Sequence, residues 1–162
     1  MTGYFLRLPT DELRTYLRNS TLLQERVDAL YPGEPDVLVI DDMWEGLLYI
    51  LTGTGIDDES DDPLAKIIIS KKIIDEDQDL GYGPATYVNP EEVIDLNRAL
   101  LKIDRDDLEE RFDPDAMNDA GIYPEGWSDG VMLDLLLDAF DNVKTFYAAA
   151  AANEEAIIAF VI

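Results

Sequence analysis

FYAAAAANEEAIIAFVI, residues 146–162, joins two apolar patterns of different period, and the fold follows from their junction. Upstream, Met132, Leu136, Phe140, Val143 and Tyr147 repeat at helical spacing, so a long helix is expected to open at Ser128 and run through the alanines 148–152. Asp134, Asp138 and Asp141 fall on the opposite, solvated side. Asn153 is suited to end the helix in a left-handed conformation. Downstream, Ala156 to Ile162 is apolar at almost every position, the pattern of a strand covered on both faces. At the other end, Gly3 to Leu8 reads as a strand stopped by Pro9.

Between these termini the signals are mostly helical. Thr10 is placed to cap a helix carrying Leu13, Tyr16 and Leu17, and Thr21 with Gln24 has capping-box spacing for a second. Val37 to Ile40 reads as strand or extended loop, followed by a helix capped by Asp41 or Asp42 and stopped at Gly53 or Gly55. Pro63 to Ser70 fits a helical turn or a strand, and Ala85 to Val88 a short strand. Asn89-Pro90-Glu91-Glu92 is a strong helix start, and Asp104 and Pro114 begin two more. No repeat or linker divides residues 1–162. The expectation is one α+β domain, mainly helical, with one small mixed sheet containing the N- and C-terminal strands.

Thirty-six acidic residues stand against twelve basic ones, a formal net charge of −24, with no His and no Cys. That removes imidazole bases, thiolate nucleophiles and His- or Cys-bound zinc. The surface repels phosphates, so direct nucleic-acid binding is not expected, and no apolar run approaches the ~20 residues of a membrane helix. The expected location is the cytoplasm. The acidity reads in three ways: solubility, a saline cytoplasm, or a basic protein partner.

The acidic loops invite a calcium reading, but the EF-hand pattern needs Gly at position 6 and Glu at position 12. Counted from Asp57 these are Asp62 and Ile68; counted from Asp75, Gly81 is one place late and Thr86 holds the last position. No metal or cofactor is therefore expected. With so many carboxylates, no pair stands out as catalytic. Trp44 reads as core. Tyr82, Tyr123 and Trp127 lie in Gly- or Pro-rich turns and read either as ligand or partner contacts or as anchors of their loops.

GYF at 3–5, WEGLLYILTG at 44–53, DPL at 62–64, YGPATYVNPEEV at 82–93 and IYP at 122–124 occur in this order before the Ala-rich helix and final strand. Together they resemble the YfbM-like family of uncharacterised bacterial proteins over essentially the whole chain. The resemblance implies an α+β fold and a bacterial cytoplasmic protein, and implies no enzymatic activity. Relatives carry a His in the helix before LTG where this chain has Leu48. The residues and the charge point to a non-catalytic interaction protein, such as an inhibitor or immunity-type protein masking a basic partner. The alternative is an enzyme using carboxylates, a small molecule or a loosely bound cation.

Overall fold

A computed structural model describes every residue from Met1 to Ile162. Strand β1 (Gly3–Leu8) is followed by helices α1 (Thr10–Arg18) and α2 (Ser20–Asp28), strand β2 (Val37–Val39) and helix α3 (Trp44–Thr52). After a 3-10 helix at Pro63–Ile67 come strand β3 (Thr86–Val88), helices α4 (Pro90–Leu100), α5 (Arg105–Arg111), α6 (Pro114–Asp119) and α7 (Met132–Ala152), and strand β4 (Ala156–Val161).

The four strands form one sheet in the order β2-β1-β4-β3. The N- and C-terminal strands are its two central members, paired from Gly3↔Val161 to Leu8↔Ala156. The α+β class and the single small sheet match the sequence reading, but the sheet is antiparallel throughout rather than mixed. A parallel neighbour is normally made through a single crossover helix. Here β1 and β2 are joined by two helices and β3 and β4 by four, and each connection returns the chain reversed.

Side-chain alternation explains why β4 is apolar at every position. Ile157 and Ala159 face the large core built from α3 to α7, while Ala156, Ile158 and Phe160 face a smaller core capped by α1 and α2. β1 divides in the same way, with Phe5 on the large side and Leu6 and Leu8 on the small. Both sheet faces are thus covered, which is unusual for an antiparallel sheet and reproduces the pattern of a buried parallel one.

The helix boundaries show where local signals prevail. Asn89 and Glu92 form the reciprocal capping box of α4, Asp104 and Asp107 form a second one at α5, and Gly53 ends α3 with φ 77°. Elsewhere the caps differ from expectation. Thr10 lies inside α1, whose N-cap is Pro9, and neither Asp41 nor Asp42 caps through its side chain. Asn19 caps α2, while Gln24 bonds Asp28 within the same helix. Helix α7 begins at Met132, not at Ser128, because Asp129 accepts the Val131 N–H in a turn before Gly130 can enter a helix. After α7 the left-handed residue is Glu154, with φ 54°, rather than Asn153.

Ile158 is fully buried and pairs with Leu6 on one side and Tyr87 on the other. Ile158→Asp is expected to abolish cooperative melting, since an unpaired buried charge costs more than the roughly 5–15 kcal/mol that holds a domain together unless it neutralises or the site opens. A sharp thermal transition near the wild-type temperature, read by circular dichroism, would contradict the central placement of β4.

Candidate functional site

Three consecutive residues at the start of α3 organise the surface around Tyr82. Trp44 lies against Gly3 of β1, where an added Cβ would meet the indole's own Cβ at 2.9 Å. Gly46 faces Trp127, whose ring would stand 2.2 Å from a Cβ at that position. Between them Glu45 is buried, and its carboxylate accepts the Ile56 N–H at 2.9 Å and the Tyr123 N–H at 3.0 Å. One turn of helix therefore fixes the central sheet, the loop after α3 and the loop before α7.

Tyr82 and Tyr123 both pack on Trp44, with ring centroids 5.8 and 6.0 Å away. The structure thus brings two of the three sequence-nominated residues to one aromatic centre. Tyr82 is 46% exposed. Its loop is held by Asp79, which accepts the N–H groups of Gly81 and Gly83, and by a bond from the Tyr82 N–H to the Val161 carbonyl. Tyr123 is half-buried, and its hydroxyl accepts from the Met1 amine. Of the two readings of Trp127, the loop anchor agrees with its burial and the contact does not: it is 0% exposed, and its Nε1–H donates to the Ile122 carbonyl at 2.8 Å. The slot left by Gly46 draws its ring inward, so the side chain anchors its loop and cannot meet a partner.

Beside Tyr82 lies a cleft of two lobes that share Ile56, Ile69 and Ser70. The apolar lobe, about 260 Å³, is lined by Trp44, Ile68, Ile73, Pro84, Thr86, Ala159 and Phe160 beside those shared residues. The polar lobe, about 530 Å³, is bordered by Asp58, Glu59, Asp61, Asp62, Lys66 and Lys71. Leu48, where the family resemblance leads one to expect His, lines this second lobe. Behind the cleft, burial raises the Tyr147 phenol far above its ordinary value, and its hydroxyl donates to the Ile67 carbonyl at 3.1 Å.

The carboxylates around these loops are occupied by local bonds. Asp58 accepts the Gly55 N–H, Asp62 accepts the Leu64 N–H and Asp61 pairs with Lys71. The alternating Asp75, Asp77 and Asp79 divide their work in the same way: Asp75 accepts from the Ser20 hydroxyl and the Asp77 N–H, and these bonds hold its carboxyl below the usual range. No group of three or more acidic side chains is gathered as a metal site. Burial pushes the Glu92 carboxyl up, but bonds from Lys72 and the Asn89 N–H, with Lys66 nearby, bring it below its ordinary value.

Glu45 is the functional-looking residue that sequence reasoning missed. The signal was present, since it is the only charged side chain between Met43 and Thr52, but its partners lie 11 and 78 residues away.

A two-faced antiparallel sheet between a helical pair and a five-helix layer defines the class of protein. The chain belongs to the family described as "Domain of unknown function (DUF1877)", whose model matches residues 1–160. A solved structure titled as a protein of unknown function, YfbM from Escherichia coli, is similar in fold, with a TM-score of 0.80 at 20% identity over 100% of both chains. The sequence resemblance to the YfbM-like family is thereby met. No curated protein matches the chain.

Two outcomes follow from this geometry. Glu45→Ala leaves two partly buried N–H groups without their acceptor and is expected to cost about 2–4 kcal/mol, measured by urea denaturation. A change below ~0.5 kcal/mol would show that the two loops are held by other contacts. For Glu92 the folded carboxyl titrates below the unfolded value of 4.5, so its contribution is complete above about pH 4.5 and is lost as pH falls through the folded value. The stability gap between wild type and Glu92→Gln is therefore expected to be widest at neutral pH and to close in acid.

Proposed function

We propose that this chain is a non-catalytic interaction protein whose acidic surface engages a basic protein partner. The observation that carries the reading is the imbalance of its ion pairs. Eight of its twelve basic side chains already face its own carboxylates, most of them at the surface. Most of the thirty-six acids have no such partner, so the field presented outward has one sign. Such a field speeds association with a cationic surface and disfavours phosphates.

A shallow groove of about 240 Å³ supports the reading. Val39 and Leu135, 40% and 48% exposed, lie beside Asp41, Asp42 and Asp138. Apolar contact within an acidic rim suits a basic segment that also carries apolar side chains. An inhibitor or immunity-type protein acting in the cytoplasm is the concrete form of this proposal. No helix is long and apolar enough to cross a membrane. A carboxylate-based enzyme would want a carboxyl raised toward neutrality. Glu34, Asp75 and Glu92 all move the other way, held down by Arg26, by Ser20 and by Lys72 respectively.

Co-purification from the native host is expected to retain a basic protein at low ionic strength and release it as salt shortens the screening length to ~8–10 Å. Asp41→Lys with Asp42→Lys should weaken capture without lowering the melting temperature. Finding no protein partner at low ionic strength would remove the support for this reading. In the isolated protein, repulsion among the unpaired acids predicts a melting temperature that rises from low to moderate salt; a flat response would show the acids locally compensated.

A further inference from the structure

We propose that the apolar lobe beside Tyr82 binds a small uncharged organic molecule carrying a carbonyl acceptor. Three observations converge there. Trp44 lines the lobe and is 1% exposed, and its indole N–H meets no acceptor anywhere in the chain. Burying such a donor unpaired is costly, and an acceptor that reached it from the lobe would supply the missing bond. By contrast, Trp127, the other tryptophan, has its N–H satisfied by Ile122.

The second observation is the lining. Nine of its twelve residues are hydrophobic and the others are Ser70, Thr86 and a third uncharged side chain, so no ionic group faces the occupant. The Ser70 hydroxyl accepts the Lys72 N–H and the Thr86 hydroxyl accepts the Ser70 N–H, which fixes both oxygens and leaves each O–H free to donate to an acceptor as well. An anion would approach against a net charge of −24, and a cation would find no carboxylate within the apolar lobe. Only a neutral molecule escapes both penalties. At about 260 Å³ the lobe falls just below the ~300–1,000 Å³ of ordinary ligand pockets, which selects a compact molecule.

The third observation is the mouth. Ile69, Ile73 and Tyr82 all line the lobe and are 41%, 38% and 46% exposed, a group of large apolar side chains at one entrance. Tyr82 sits on Trp44 on a loop pinned at both glycines, so the entrance is shaped before anything binds. This inference is independent of the acidic groove, which shares no residue with the lobe.

Acetophenone and ethylbenzene share a phenyl ring and a two-carbon side chain, and only the first carries an acceptor. Both would be titrated into ¹⁵N-labelled protein while the two indole N–H signals are followed by NMR. Acetophenone is expected to saturate at millimolar concentration, to move the Trp44 signal downfield and to leave the Trp127 signal in place. Ethylbenzene should bind at least about tenfold more weakly without that shift. Benzoate, the anionic counterpart, should not saturate. Trp44→Phe should erase the preference for the ketone. Because that variant alters the core, Ile73→Phe at the exposed mouth provides a second test and should block acetophenone while the protein melts normally. Equal binding of the two probes, an unmoved Trp44 signal, or unchanged binding by Ile73→Phe would each overturn the proposal.

Discussion

The buried carboxylate of Glu45 is the interaction on which the arrangement around Trp44 depends. A charge in a core is tolerated only when hydrogen bonds replace the water it has lost. Here the replacement comes from two backbone N–H groups belonging to distant loops, so satisfying the charge and fixing the loops are one event. Its neighbours extend the effect. Trp44 requires Gly3 in the central sheet, and Trp127 requires Gly46 in the helix. Sequence positions 44 to 46 thus determine where residues 3, 56, 123 and 127 lie.

This accounts for what was legible in the chain and what was not. Caps made within four residues, such as Asn89 with Glu92, could be read directly, because donor and acceptor share one local pattern. So could the doubly buried strand at Ala156–Val161, because each face leaves its own apolar residue in the alternation. The start of α7 was misplaced because Asp129 and Gly130 favour a turn over an added helical turn. Trp127 read as a loop aromatic and is core, since the space it fills is created by a glycine 81 residues earlier in the chain. Tyr82 and Tyr123 were nominated for their loops; that both rest on Trp44 depends on tertiary contacts invisible to a local reading.

The charge distribution and the core obey different constraints. Inside, only Glu34, Glu45, Ser70 and Thr86 are buried polar or charged residues, and each has hydrogen-bond partners. Outside, acids accumulate wherever they cap a helix, close a turn or face water. The protein can therefore carry its charge excess without compromising its interior, at the cost of mutual repulsion over the surface.

The central pairing of β1 with β4 has a consequence for how the chain is made. Gly3 pairs with Val161, so one partner is synthesised long before the other. Helices α1 and α2 can form locally in the meantime, but the sheet face that they cover lacks a central strand until β4 has been made. The apolar side of β1 must wait through that interval, and the long-range closure that finishes the sheet is the slow kind. Closure of the sheet thus waits for β4, and until that strand is made β1 has only β2 as a partner and leaves its other edge open.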